Sequence, residues 1–384
     1  MVLGSLDPRI SYETSLYYST KAASINYVPG GLTLEPGGWD LANSAFLGDL
    51  FGYKYILELP PGYTPPGAGP REAKPDWDEY LERVWDGLEG GAAVQVCQGW
   101  MNVTETEGGQ IIGPAGMDPF WWEGMESRPD MHYGAVVGMD KSSDPTLVIM
   151  HDPIGGWFGT GREIEYTRDE FIDRIAHCQV PQLKRITHTY HNPDKNPGGG
   201  YDQNRLAEIE GSVRERITAK INGAAGVYDS DETWRSFLGP AWNGRMAYGA
   251  GEGLDALLED LEEGRFRSVL SRAGRLPLDM VSYLDLGAYH YAHIAGISAE
   301  HLEEQGRTDE WEWMFALHIL YERMQLSTAQ IRAAFKEHYL DGSIDPLGDS
   351  VEASSGYLAD LRRTVRVLQE HFFEYPGMPG RLEL

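Results

Sequence analysis

The chain has 384 residues, with 32 Lys+Arg against 59 Asp+Glu and a formal net charge of −27. A hydrophobic content of 41% with 11% aromatics is ample for packed cores and excludes general disorder. So large a carboxylate surplus repels phosphate backbones and anionic bilayers, so no nucleic-acid or membrane partner is expected. Cys97 and Cys178 cannot build a disulfide framework, and the CxxC spacing of zinc or redox sites is absent. The opening MVLGSLDPRISYETS has no basic-then-apolar leader pattern, and no apolar run nears the roughly 20 residues of a bilayer span. A soluble, reduced, cytoplasmic protein is the expectation.

In chain order, residues 11–27 read as a helix ending at Pro29-Gly30-Gly31. FGYKYILEL (51–59) alternates like a strand, and residues 60–75, with six prolines and three glycines, can only be a loop. WDEYLERVWDGLEGG repeats Trp77, Leu81, Val84, Trp85 and Leu88 at helical spacing and stops at Gly90-Gly91. Apolar runs at 92–100, 132–140 and 146–152 read as strands, the last two forming a hairpin around KSSDP. The long loop between the first two carries Trp121-Trp122. REIEY (162–166) is a further strand, Thr167 an N-cap, RDEFIDRIAHC a helix and LKRITHTYH (183–191) a final strand.

HNPDKNPGGGYDQ reads as a linker over 191–203, after which nearly everything is helical: 204–222, 231–239, 251–263, 265–273, 277–296, 298–305, 308–325, 327–340 and 350–374. The expected organisation is therefore α+β over 1–190 and an all-α bundle over 204–384. Trp311, Phe315, His318 and Glu322 form a stripe expected to face the bundle core. Amphipathic, aromatic-rich helices in this half are compatible with a homodimer. His188 with His191, and His290 with His293, lack a flanking carboxylate motif, so structural roles are expected and no metal or cofactor is inferred.

One constellation carries chemistry. His132 opens one hairpin strand and Asp152 ends the next, so the two can meet, and an imidazole oriented by a carboxylate is the base half of a nucleophile–His–Asp device. The glycine-rich PIGGWFGTG follows at the same sheet end. HYGAVVGMD, TLVIMHDPIGG and REIEYTRDEFIDRI together resemble the papain-like domain of bacteriocin-processing cysteine peptidases. They resemble still more closely the N-terminal domain of the butirosin-biosynthesis acyltransferase family. His132, Asp152-Pro153 and Glu163 to Phe171 match its pattern, over roughly residues 10–190.

The resemblance implies a papain-like fold and a catalytic His132 and Asp152. It also implies a nucleophilic Cys at the start of the first helix, where the text ISYETSLYY places Ser11 or Tyr12 instead. Ser11 retains an activatable hydroxyl, but Ser before a helix is also the commonest N-cap. Cys97 lies mid-strand, where a small hydrophobe is the ordinary role. The implied activity is transfer of an acyl group from a thioester donor to an amine-bearing small molecule. The cleft would be lined by Tyr12, Cys97, Trp121, Trp122 and Tyr133. A catalytically inactive binding scaffold and a peptidase or amidase are the alternatives.

Overall fold

The computed structural model describes residues 10–28, 33–35, 41–58, 77–98, 104–105, 111–112, 132–152, 162–176, 187–191, 206–224, 247–263, 277–340 and 352–373. The elements begin with α1 (Tyr12–Tyr18), β1 (Asn26–Val28), β2 (Thr33–Glu35), α2 (Leu41–Leu50), β3 (Lys54–Glu58), α3 (Trp77–Glu89) and β4 (Ala92–Gln98). They continue with β5 (Thr104–Glu105), β6 (Ile111–Ile112), β7 (His132–Asp140), β8 (Leu147–Asp152), β9 (Arg162–Thr167), α4 (Arg168–Ala176) and β10 (Thr187–His191). The remainder is α5 (Leu206–Ile221), β11 (Ala247–Tyr248), α6 (Leu254–Glu262), α7 (Pro277–Glu304), α8 (Thr308–Leu340) and α9 (Ser355–Phe372). The mixed α+β class expected from the sequence is present.

The chain forms two compact units, and their division differs from the contiguous one expected. One unit comprises Met1–Tyr12, Ser44–Gln203 and Glu232–Asn243; the other comprises Glu13–Asn43, Asn204–Asp231 and Gly244–Leu384. An N-terminal segment assigned by position to the sheet thus belongs to the helical unit. Periodicity says that a segment is amphipathic but not which core receives it. Of the expected linker, residues 192–203 lie outside the described residues.

The sheet unit is built on six antiparallel strands in the order β3-β10-β4-β7-β8-β9. Valines on β4, β7 and β8 bury one face: Val94, Val96, Val136, Val148 and Met150 pack with Tyr80, Leu81 and Val84 of α3 and Phe171 and Ile175 of α4. Helix α3 stops where expected, because Gly91 adopts a left-handed φ of 80° and its N–H returns to Leu88 O at 2.9 Å. Thr167 caps α4 through a reciprocal box. Its N–H and Oγ1 each donate to Glu170 Oε2 at 2.8 Å, and Glu170 N–H returns to Thr167 Oγ1 at 3.4 Å. At the β7–β8 turn, Ser142 and Ser143 hydroxyls donate to Asp140 at 2.6 and 2.5 Å and hold its carboxyl down at about 2.

In the helical unit α5, α6, α7 and α8 pack against the segment that follows α1. The single helix expected over 11–27 breaks after Tyr18. Ser19 Oγ donates to Leu16 O at 2.6 Å and Thr20 takes a left-handed φ of 56°, so local hydroxyl bonding ends the helix. Residues 22–25 and Tyr27 are then buried in the unit. Tyr321 OH donates to Ala22 O at 2.7 Å, Gly249 N–H to Ile25 O at 2.9 Å, and Tyr291 OH to Ser24 O. Lys220 Nζ donates to Ser24 Oγ at 2.7 Å, and Tyr27 OH to Asp260 Oδ2 at 2.6 Å. Each side chain that bonds this segment is itself buried, so the segment's polar groups are satisfied from inside the bundle.

Two helix pairs expected as separate are continuous, 277–304 and 308–340. Gly296 does not break α7: a Cβ there would meet His318 of α8 at 3.0 Å, so the glycine serves close approach. Of the stripe expected in the bundle core, Phe315 (43% exposed) and Glu322 lie outward while His318 turns toward α7; Trp313, Met314, Leu317 and Tyr321 are among the buried residues of α8. No helix among the described residues is long and apolar enough to cross a membrane.

Candidate functional site

The register of the six-stranded sheet fixes where the sequence candidates stand. Val94 pairs with Val136, Val136 with Met150 and Met150 with Ile164, a row in the centre of the buried face. One step of the pleat along, toward the start of β7, Val96 pairs with Gly134 and Asp152 with Arg162. The pairing of Ala135 with His151 carries on to set Gly134 beside Asp152. Beyond that row Gln98 pairs with His132. His132 and Asp152 therefore occupy diagonal positions on neighbouring strands of one face, about 7–8 Å apart at the backbone. Gly134, which has no side chain, occupies the position between them.

This face is apolar at its centre and polar at its end. The valines specify a buried floor, and by register Asp152, Arg162, His132 and Gln98 are the positions at its end. Gln98 and Arg162 were not singled out in the sequence. Arg162 stands directly opposite Asp152, closer in register than His132, and Gln98 directly opposite His132. Both follow from strand pairing between segments far apart in sequence, and local spacing carries no such signal.

The register divides the other candidates. Cys97 and Tyr133 pair with each other, one residue out of phase with His132, which assigns them to the opposite face. They therefore do not share a face with His132 and Asp152. On that opposite face, His151 Nε2 lies 3.2 Å from Glu163 Oε2, an exposed imidazole–carboxylate pair one residue from Asp152 and Arg162. Ser11 is exposed and immediately precedes α1, and Tyr12 begins that helix and is half-buried. Both belong to the sheet-bearing unit, whereas the remainder of α1 belongs to the helical one. Trp121, Trp122 and Cys178 lie outside the described residues.

Among the described residues no group of three or more His, Cys, Asp and Glu is arranged to hold a metal ion. His290 is pushed down to about 4 by burial, with Lys21 and His293 adding to the shift, so at neutral pH it is a neutral imidazole inside the helical unit. Compared with family models and with curated proteins, the chain matches none.

Proposed function

We propose that the sheet-bearing unit is a papain-like acyl- or amide-transferase domain acting on an amine-bearing small molecule, with His132 as general base and Asp152 as its orienting carboxylate. The observation that carries this reading is the register, with both positions on one face at the polar end of an otherwise apolar sheet. It is joined by the likeness of His132, Asp152-Pro153 and Glu163 to Phe171 to the butirosin-biosynthesis acyltransferase pattern.

The family's thiolate has no counterpart at Ser11 or Tyr12, so the reaction we favour is direct. The amine nitrogen attacks the thioester carbonyl, a C–N bond forms and the C–S bond breaks. The amine proton passes to His132 and from there to the departing thiolate. The net charge of −27 suits a cationic amine acceptor and disfavours an acidic carrier protein as donor.

A second reading, a binding scaffold without catalysis, is favoured by one observation. The backbone register puts Arg162, a residue type that binds carboxylates, directly across from Asp152.

Incubation with soluble acyl thioesters and primary amines separates the readings. Wild-type turnover should fall by about 100-fold or more in H132A and persist in S11A, with no acyl adduct by intact mass. An adduct lost in S11A would establish a Ser11 nucleophile, and equal turnover in wild type and H132A would remove His132 from the mechanism.

A further inference from the structure

The last turn of helix α1 packs on the helical unit around a histidine. Its last two residues, Tyr17 and Tyr18, flank His301 of α7 with ring centroids at 5.4 and 5.7 Å, and the two tyrosines lie 5.1 Å apart. His301 is 7% exposed, and its Nε2 is buried without a hydrogen-bond partner among the described residues. Charged groups approach from every neighbouring element. Glu13 lies on α1, Glu210 on α5, Glu304 on α7 itself, Arg307 in the turn after α7 and Glu310 on α8. Glu210 and Glu310 are already engaged by other donors. Tyr18 OH donates to Glu210 Oε1 at 2.6 Å, and Arg307 joins Glu210 to Glu310, contacting the latter at 3.0 Å. Arg214 also meets Glu310, and the Arg307 guanidinium lies 5.3 Å from the Tyr17 ring centre.

We propose that His301 is the titrating catch of a latch that holds α1 on the helical unit, closed when the imidazole is neutral and opened when it is protonated. A proton on Nε2 would put a charge into an aromatic slot that offers it no acceptor, beside a guanidinium that already serves both carboxylates. Undocking α1 exposes the ring to water and removes that cost. Burial holds the His301 imidazole below its ordinary value, against the pull of Glu210, Glu304 and Glu13 and with the push of Arg307. The sign follows. The docked form binds the proton less readily than the undocked form, so docking is fully stable above about pH 6.5 and weakens as the pH falls below it. The inference does not depend on the transferase reading, because every group in it belongs to the helical unit.

Hydrogen exchange of the full chain at pH 7.5 and 5.5, corrected for intrinsic rates, tests it. In wild type, amides of residues 15–24 should lose protection severalfold at pH 5.5 while the core of α8 keeps its own. In H301F, which keeps an aromatic ring without the titrating nitrogens, protection should be unchanged between the two pH values. No acid response in wild type, or the same response in H301F, overturns the proposal; the second result would point to His290 beside Lys21. Should H301F lose protection already at pH 7.5, titration of the wild-type His301 ring by NMR decides. A midpoint below 6.5 coinciding with the loss of α1 protection supports the latch, and any other midpoint overturns it.

Discussion

Asp285 of α7 shows how a single buried group sets its neighbours' roles. It is 1% exposed, and burial pushes its carboxyl up while Arg332 of α8 opposes the shift from 2.9 Å. Thr328 and Gln325 donate to its other oxygen at 3.2 and 3.3 Å. Removing the guanidinium alone leaves a carboxylate in a site built for a charge pair, which costs about 3–5 kcal/mol. R332M should therefore be strongly destabilising in urea unfolding. R332M combined with D285N should cost clearly less than the sum of the two single variants, because the pair shares one desolvation. At this scale the sequence displays residue types but not partners. His132 and Asp152 could be paired by eye because only a short turn separates their strands. Arg162 and Gln98 could not, because β9 and β4 are reached through segments whose length gives no register.

Single elements were legible where their limits are written locally. Helix α3 begins near its tryptophan and ends at a glycine pair, and Thr167 with Glu170 marks the start of α4. T167A should lower the stability of the sheet unit by about 1 kcal/mol, measured by chemical denaturation, and T167S should retain most of it, since the serine hydroxyl can still complete the box. Elements were misread where packing overrides local preference. Residues 277–296 and 298–305 are expected as two helices, yet they form one, and Gly296 near the expected break allows the close approach of His318. Residues 11–27 are expected as one helix, yet the Ser19 hydroxyl and the left-handed Thr20 end it after Tyr18. The Trp311 and Phe315 stripe has helical spacing, but spacing defines a face without saying which side of a bundle it meets. Trp311 and Phe315 stack on each other at 5.4 Å on the outward side.

At the scale of the molecule, the helical unit is not the C-terminal half alone. Residues 22–25 and Tyr27 are buried within it, and Tyr291, Tyr321, Lys220 and Asp260 are turned inward to bond them. A fragment of residues 204–384 would leave those hydroxyls and charges without partners. It should show no cooperative thermal transition, and a separately expressed segment of residues 10–43 should restore one when added. That arrangement also sets an order of events in synthesis. Ala22 and Ser24 are 299 and 267 residues from the tyrosines that bond them. At about 5–20 residues per second, the segment waits on the order of 15–60 s after it is made before its last partner exists. The strands of the six-stranded sheet are all translated within that interval, so that sheet can close first while the segment stays uncommitted. Contacts this distant along the chain make closing the helical unit a late, slow step. A chaperone that shields residues 13–43 during synthesis would therefore raise the yield of folded chains more than one acting on the finished protein.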